Sequence, residues 1–96
     1  MNLEKSKKRI AKRVKMGFQG YPEISILYSG PSKDLVNAVV VRFVAEEGSE
    51  VMEEKFQSTS DAREDEVIQS ALVKMIERSQ AKTVSMIFWL RLIIRL

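Results

Sequence analysis

Basic side chains that could bind phosphate groups are concentrated at the start of this 96-residue chain. Residues 1–20 contain seven lysines and arginines and one acid, Glu4, so the segment carries a net charge of +6, seven minus one. Each phosphate of a nucleic acid that such residues neutralise releases counterions, which makes binding sensitive to salt. Tyr21, Tyr28 and Trp89 could add base stacking, although aromatic residues at strand positions more often belong to the core. The candidate phosphate-binding residues are Lys5, Lys8, Arg9, Lys12, Arg13 and Lys15.

Acidic residues form a second block later in the chain. Residues 46–66 contain nine acids and two basic residues, a net charge of −7, so the overall charge of +3 conceals two opposed regions. The basic segment could therefore bind an acidic partner, or pack near the acidic block of its own chain or of a second copy. The remaining alternative is a solvated helix with local salt bridges, which is what most charged faces are.

Composition excludes several kinds of active site. The chain has no cysteine, which rules out disulfides, thiol nucleophiles and cysteine-based zinc sites, and no histidine, the commonest general base and metal ligand. Its serines therefore have no histidine to activate them, and its acidic stretches lack the ligand spacing of a calcium loop. We expect a non-enzymatic protein that holds no metal ion or cofactor.

The first predicted element is a basic helix over about residues 3–18. The sequence QGYP that follows should end it, because glycine terminates helices and proline disfavours helical geometry in the preceding residue. The apolar residues near one side of its helical wheel are Leu3, Ile10, Val14 and Phe18.

Three strands should come next. Period-two alternation from Glu23 to Ser29 predicts the first strand. Residues 35–46 are apolar on both faces, which is typical of a central strand, and residues 50–59 are apolar on one face only. Turns containing Gly30 and Pro31, and then Gly48, separate the three strands.

The second helix, over residues 62–78, is the element that the sequence indicates most strongly. Asp61 is the expected N-cap, and Glu64 follows three residues later in a capping-box arrangement. Apolar residues then recur at three- and four-residue spacing from Val67 to Ile76.

The C-terminal residues form the most apolar segment of the chain. Every even position from Val84 to Leu96 is apolar, which predicts a strand over about residues 83–96; a short helix that seeks a membrane or a partner is the alternative. The apolar run is too short to span a bilayer. A strand of that length would outrun its neighbours, so a second copy could cover its end in a homodimer, unless that end is disordered. The candidate self-association residues are Leu92, Ile94 and Leu96.

The order helix, three strands, helix, with Gly30 and Pro31 between the first two strands, resembles the double-stranded RNA-binding domain. In that family a Gly-Pro-x-His loop enters the minor groove, and a lysine-rich start of the second helix holds phosphates. Here Lys33 stands at the histidine position, and Asp61, Glu64 and other acids occupy the helix start. The resemblance therefore implies the fold and not RNA binding.

These patterns predict one α+β domain over residues 1–96, in the order α-β-β-β-α-β, with an antiparallel sheet covered on one face by two helices. The expected function is that of a small binding protein whose basic helix meets nucleic acid. A protein-interaction module or homo-oligomer built on the C-terminal strand is the alternative. Because the N-terminus lacks the apolar core of a secretory signal, we expect a cytoplasmic location.

Overall fold

The computed structural model of the chain describes residues 2–32 and 34–90, with Trp89 and Leu90 described by their backbone alone. The elements follow the order α-β-β-β-α-β, which confirms the predicted α+β architecture. They are α1 (Leu3–Lys15), β1 (Glu23–Gly30), β2 (Ala38–Val44), β3 (Met52–Gln57), α2 (Glu66–Ser79) and β4 (Thr83–Leu90), with a short 3₁₀ turn at Ala62–Glu64 before α2.

The four strands form one sheet in the order β3-β2-β1-β4. β2 is antiparallel to both of its neighbours, as predicted, but β4 runs parallel to β1, so the sheet is mixed rather than purely antiparallel. The reason is α2, which carries the chain from β3 at one edge to β4 at the other. A helical crossover of this kind returns the chain in the direction of the strand it left. Ile26 of β1 accordingly pairs with Val41 on one side and Met86 on the other.

Both helices bury apolar side chains against the same face of the sheet. From the helices come Ile10 of α1 and Leu72 and Ile76 of α2, all less than 5% exposed. Each fully buried aliphatic side chain of this size contributes about 1.5–3 kcal/mol. The strand residues beneath them alternate along the chain, as the predicted period of two requires: Ile24, Ile26, Tyr28, Val39, Val41 and Val84.

Helix α1 is three residues shorter than predicted. The Asn2 side chain accepts a hydrogen bond from the Lys5 backbone N–H at 2.8 Å and caps the start. Gly17, with φ of 74°, ends the helix in the left-handed conformation that favours glycine. Phe18 therefore leaves the helical wheel and is 62% exposed, so the prediction that it belongs to the apolar stripe is wrong.

Helix α2 begins later than the predicted residue 62. The Asp61 side chain accepts from the Arg63 backbone N–H and caps only the 3₁₀ turn. Asp65 then accepts hydrogen bonds from the backbone N–H groups of Val67 and Ile68, at 3.0 and 3.2 Å, and starts the α-helix proper. Asp61 thus caps the 3₁₀ turn and Asp65 caps the α-helix, whereas the sequence predicted one capping box that begins at Asp61.

The C-terminal strand prediction is confirmed from Thr83 to Leu90. Val84 is buried at the start of β4, whereas Phe88 is 54% exposed near its end. Residues 91–96, which contain the predicted self-association residues Leu92, Ile94 and Leu96, lie outside the described residues. None of the helices described is both long and apolar enough to cross a membrane.

Candidate phosphate-binding surface

Helix α1 has an inward side that rests on α2 and on the sheet. Ser6 and Ile10, one turn apart on this side, are 0% and 1% exposed. The hydroxyl oxygens of Ser6 and Ser70 of α2 lie 3.5 Å apart, so the two helices approach closely where the side chains are small. This packing decides which basic side chains turn towards the protein and which turn away from it.

The guanidinium groups of Arg9 and Arg13 contact the far half of α2 and the residues after it. Arg9 forms an ion pair with Glu77 at 3.1 Å, and Arg13 donates a hydrogen bond to the Ala81 carbonyl. Together with Lys12 they line a groove of ≈ 260 Å³ between the helices, and Glu77 lies in the same groove. Although both arginines were predicted to bind phosphate, the structure places these two charges in contacts within the chain.

Lys7 turns towards the 3₁₀ turn that precedes α2, at the opposite end of the interface. Its ammonium group lies 2.7 Å from the Glu64 carboxylate, and this hydrogen bond raises the pKa of Lys7 above its usual value. We call Lys7, Arg9 and Arg13 the inward basic set. All three have a partner in the folded chain.

The remaining basic residues lie on the outward side of α1. They recur at intervals of three, four and three residues, which places them within an arc of about 80° on a helix of 3.6 residues per turn. The centre of this arc lies opposite the buried side, and all four side chains are exposed, although Lys12 also lines the groove between the helices. We call the four residues the lysine stripe: Lys5, Lys8, Lys12 and Lys15.

The ammonium groups of the lysine stripe make no ion pair or hydrogen bond with any residue that the structure describes. Glu4, in the first turn, is the one acid within residues 1–20. From Lys5 to Lys15 the stripe extends about 15 Å at 1.5 Å per residue. Phosphates of one nucleic-acid strand follow one another every ~3.4 Å along the duplex axis, so this length corresponds to about four of them.

The acidic block lies mainly at the other edge of the sheet. α1 packs on α2 and β4, whereas Glu53 and Glu54 belong to β3. β3 lies three strand spacings from β4, about 14 Å, which exceeds the Debye length of about 8 Å at physiological ionic strength. Of the nine acids in residues 46–66, Glu64 is the one with a hydrogen bond or ion pair to α1 among the described contacts. Glu53 and Glu54 therefore lie too far away to compensate the lysine stripe. Four of the nine acids lie instead at the start of α2, the helix on which α1 packs: Asp61, Glu64, Asp65 and Glu66.

The aromatic residues proposed for base stacking do not lie on this surface as a group. Tyr28 is 2% exposed and its hydroxyl accepts a hydrogen bond from Gln69 Nε2 at 2.8 Å. Burial raises the pKa of this phenol. The Trp89 side chain lies outside the described residues, and Tyr21 is half-buried. Phe18, which sequence reasoning assigned to the apolar stripe of the helix, is an exposed aromatic residue that follows the lysine stripe along the chain; Gly17 before it was the available signal.

Two other charged groups serve the local structure of the chain. Asp61 and Arg63 form an ion pair at 2.5 Å next to α2, and the Arg63 hydrogen bond lowers the pKa of the Asp61 carboxyl. Across residues 2–32 and 34–90, no three acidic side chains are grouped in a way that could hold a metal ion.

The chain was also compared with protein-family models, curated proteins and solved structures, and none of them matches it. The resemblance to the double-stranded RNA-binding domain accordingly rests on the element order and on the Gly30-Pro31 turn.

Proposed function

We propose that this chain is a small nucleic-acid-binding protein whose lysine stripe contacts the phosphate backbone. The observation that carries the proposal is the division of the basic residues of α1. The inward basic set is engaged by Glu64, Glu77 and a backbone carbonyl, while the four lysines opposite have no such partner among the described residues.

Local helix energetics account for part of the stripe. Lys12 and Lys15 lie in the last turn of α1, where the helix dipole favours positive charge, and Glu4 precedes Lys8 by four residues, a favourable spacing. Lys8 and Lys12 are like charges four residues apart and destabilise the helix by about 0.2–0.5 kcal/mol. Bound phosphates would neutralise the lysine charges and release condensed counterions, which favours binding.

The proposed contacts are of lysine ammonium groups with phosphate oxygens. Lysine is a point charge on a flexible stem, which suits backbone contacts that carry no sequence information. We therefore expect affinity to depend strongly on salt and weakly on base sequence.

Fluorescence anisotropy with a labelled single strand, duplex DNA and duplex RNA, each at two salt concentrations, tests this function. We expect binding that weakens as salt increases. The variant K5Q/K8Q/K12Q/K15Q should lose most of it without unfolding, because glutamine is a good helix former. Absence of salt-sensitive binding to all three ligands at micromolar protein would refute the proposal.

A second candidate function, self-association through β4, is favoured by the contrast between the two edges of the sheet. β4 carries no charged residue from Thr83 to Leu90, whereas the β3 edge carries Glu53, Glu54 and Lys55. Charges on an edge strand discourage pairing with another chain, and an uncharged edge does not. Ile87 and Phe88 of β4 are 51% and 54% exposed.

Sedimentation of the full chain, of I87K and of a chain that stops after Leu90 tests this second function. Pairing of β4 with β4 of a second copy predicts a dimer that I87K dissociates, because the two-fold contact would bring two new lysines close together. A dimer lost only on truncation would assign the contact to residues 91–96, among them Leu92, Ile94 and Leu96. A full chain that stays monomeric at high micromolar concentration would contradict both.

A further inference from the structure

Phe18 is a large aromatic residue that the fold leaves in solvent. The helix ends before it, at Lys15, and Gly17 in its left-handed conformation directs the chain away from the helix axis. The Phe18 side chain is 62% exposed, and the neighbouring Met16 is 52% exposed. Phe18 and Met16, two residues apart in the sequence, are two of eight large apolar side chains exposed in the described part of the chain, and both lie at the end of α1.

The loop that carries Phe18 is braced by the sheet. The Thr83 hydroxyl, in a residue only 3% exposed, accepts from the Gln19 backbone N–H at 2.8 Å and donates to the Gly20 carbonyl at 2.6 Å. The Gln19 side-chain amide donates to the Met16 carbonyl at 2.9 Å. The backbone on both sides of Phe18 is thus fixed before any ligand arrives.

The Phe18 ring contacts the ring of Tyr21. Its centroid lies 5.4 Å from that of Tyr21, with the ring planes at 76°, an edge-to-face contact. Such a contact orients a ring, and the exposed fraction of Phe18 shows that much of its surface remains uncovered. An exposed aromatic ring that is already fixed in position loses little conformational entropy when another planar group stacks on it.

Phe18 follows the lysine stripe closely along the chain. It follows Lys15 by three residues, which limits the separation of their Cα atoms to about 11 Å. Met16 follows Lys12 by four residues and lies one helical turn beyond it on the outward side. A row of cations that ends at an exposed aromatic ring is the combination that binds single strands, in which phosphates meet the charges and a base stacks on the ring.

We propose that Phe18 is a stacking platform for an unpaired base, which makes single-stranded nucleic acid the preferred ligand of this surface. The inference rests on the proposed function of the lysine stripe. Bases inside a duplex are already stacked on each other, so a protein ring reaches them only in single strands, loops or ends. A lipid surface fits less well, because the apolar side of α1 is buried on α2, and Phe18 and Met16 are the large apolar side chains exposed at this end of α1 among the described residues.

The test compares wild type, F18A, F18W and K8Q/K12Q in binding a mixed-sequence single strand and a duplex of the same length. F18A should bind the single strand about 5- to 150-fold more weakly, keep its duplex affinity and keep the salt dependence of wild type. F18W should restore single-strand binding, since tryptophan also stacks. Because Phe18 is exposed, F18A should unfold at the wild-type denaturant midpoint.

The outcomes separate the two proposals. If F18A binds the single strand as wild type does while K8Q/K12Q binds it more weakly, the platform is wrong and the function of the stripe stands. An equal loss for duplex and single strand in F18A would also overturn the platform. If wild type binds neither nucleic acid but sediments with phosphatidylcholine vesicles that contain phosphatidylserine, both proposals are overturned in favour of a membrane surface.

Discussion

The inward basic set and the lysine stripe come from the same 13-residue helix but differ in what they contact. Lys7 and Arg9 pair with glutamates at 2.7 and 3.1 Å, while the four stripe lysines have no ion pair within the described part of the chain. The difference arises from the helical period. Ser6 and Ile10 must face the core, and this fixes the direction in which all the remaining side chains of α1 point. Counting charges along the sequence therefore overestimates the surface available to a partner.

Replacing the residue that docks α1 should have the largest effect on this division. Ile10 is 1% exposed, and Ile10→Ala would leave a cavity where the inward side meets α2. We expect the free energy of unfolding to fall by about 2–5 kcal/mol, measured by urea denaturation followed by circular dichroism. Lys8→Ala, on the outward side of the same helix, is the control and should change stability by about 0.5 kcal/mol or less. Equal effects of the two substitutions would mean that α1 has no preferred side.

The second prediction concerns the polar contacts that join α2 to β1 and to the 3₁₀ turn before it. Gln69 Nε2 donates to the Tyr28 hydroxyl at 2.8 Å and to the Ala62 carbonyl at 3.0 Å, in a region where both side chains are buried. Tyr28→Phe removes one of these two acceptors. Since Gln69 retains the other, we expect a loss of about 1 kcal/mol of stability at neutral pH.

The cost of Tyr28→Phe should depend on pH in a defined direction. Burial raises the pKa of Tyr28 in the folded chain above the usual value of about 10 for an unfolded tyrosine. The unfolded state then loses its proton first, so the stability gained from neutral Tyr28 is fully present below pH ~10 and is lost as the pH rises through the folded-state value. The stability of wild type should fall towards that of the variant at alkaline pH. A gap that widens there would contradict the buried, neutral phenol.

The smallest effect on stability is expected from removing the ion pairs of the inward basic set. The side chains of Arg9 and Glu77 are 58% and 57% exposed, so their pair is well screened by water. K7Q/R9Q should reduce stability by about 1 kcal/mol or less, and increasing salt should reduce the difference from wild type. A loss as large as that of Ile10→Ala would show that these pairs, and not the apolar contacts, hold α1 against α2.

Periodicity predicted the elements better than their relations in space. The alternation in β1 and the apolar spacing of α2 were sufficient to identify these elements, because each pattern follows from local geometry. The parallel pairing of β4 with β1 was not predictable in the same way, since it depends on which edge the α2 crossover reaches. Phe18 was misplaced because three- and four-residue spacing continued past Gly17, and only the left-handed conformation of that glycine removes Phe18 from the helix.

The sequence identified the basic helix that carries the candidate site, but not which of its basic residues have partners in the folded chain. The six basic residues named from the sequence include all four of the lysine stripe. Nothing in the sequence separated Arg9 and Arg13 from the others, because their partners, Glu77 and the Ala81 carbonyl, are 68 residues away along the chain. Long-range contacts of this kind appear only once α1 is placed on α2.

The salt dependence of single-strand binding in two matched variants tests the central claim most directly. K8Q/K12Q and K7Q/R9Q each remove two positive charges from the same helix, so both change the net charge of +3 to +1. If four lysines each neutralise a phosphate, log affinity against log salt should have a slope of about −2.8 for wild type. K8Q/K12Q should reduce the slope to about −1.4 in anisotropy titrations, while K7Q/R9Q leaves it near the wild-type value. Equal reductions in both variants would show that net charge, and not the lysine stripe, attracts the ligand.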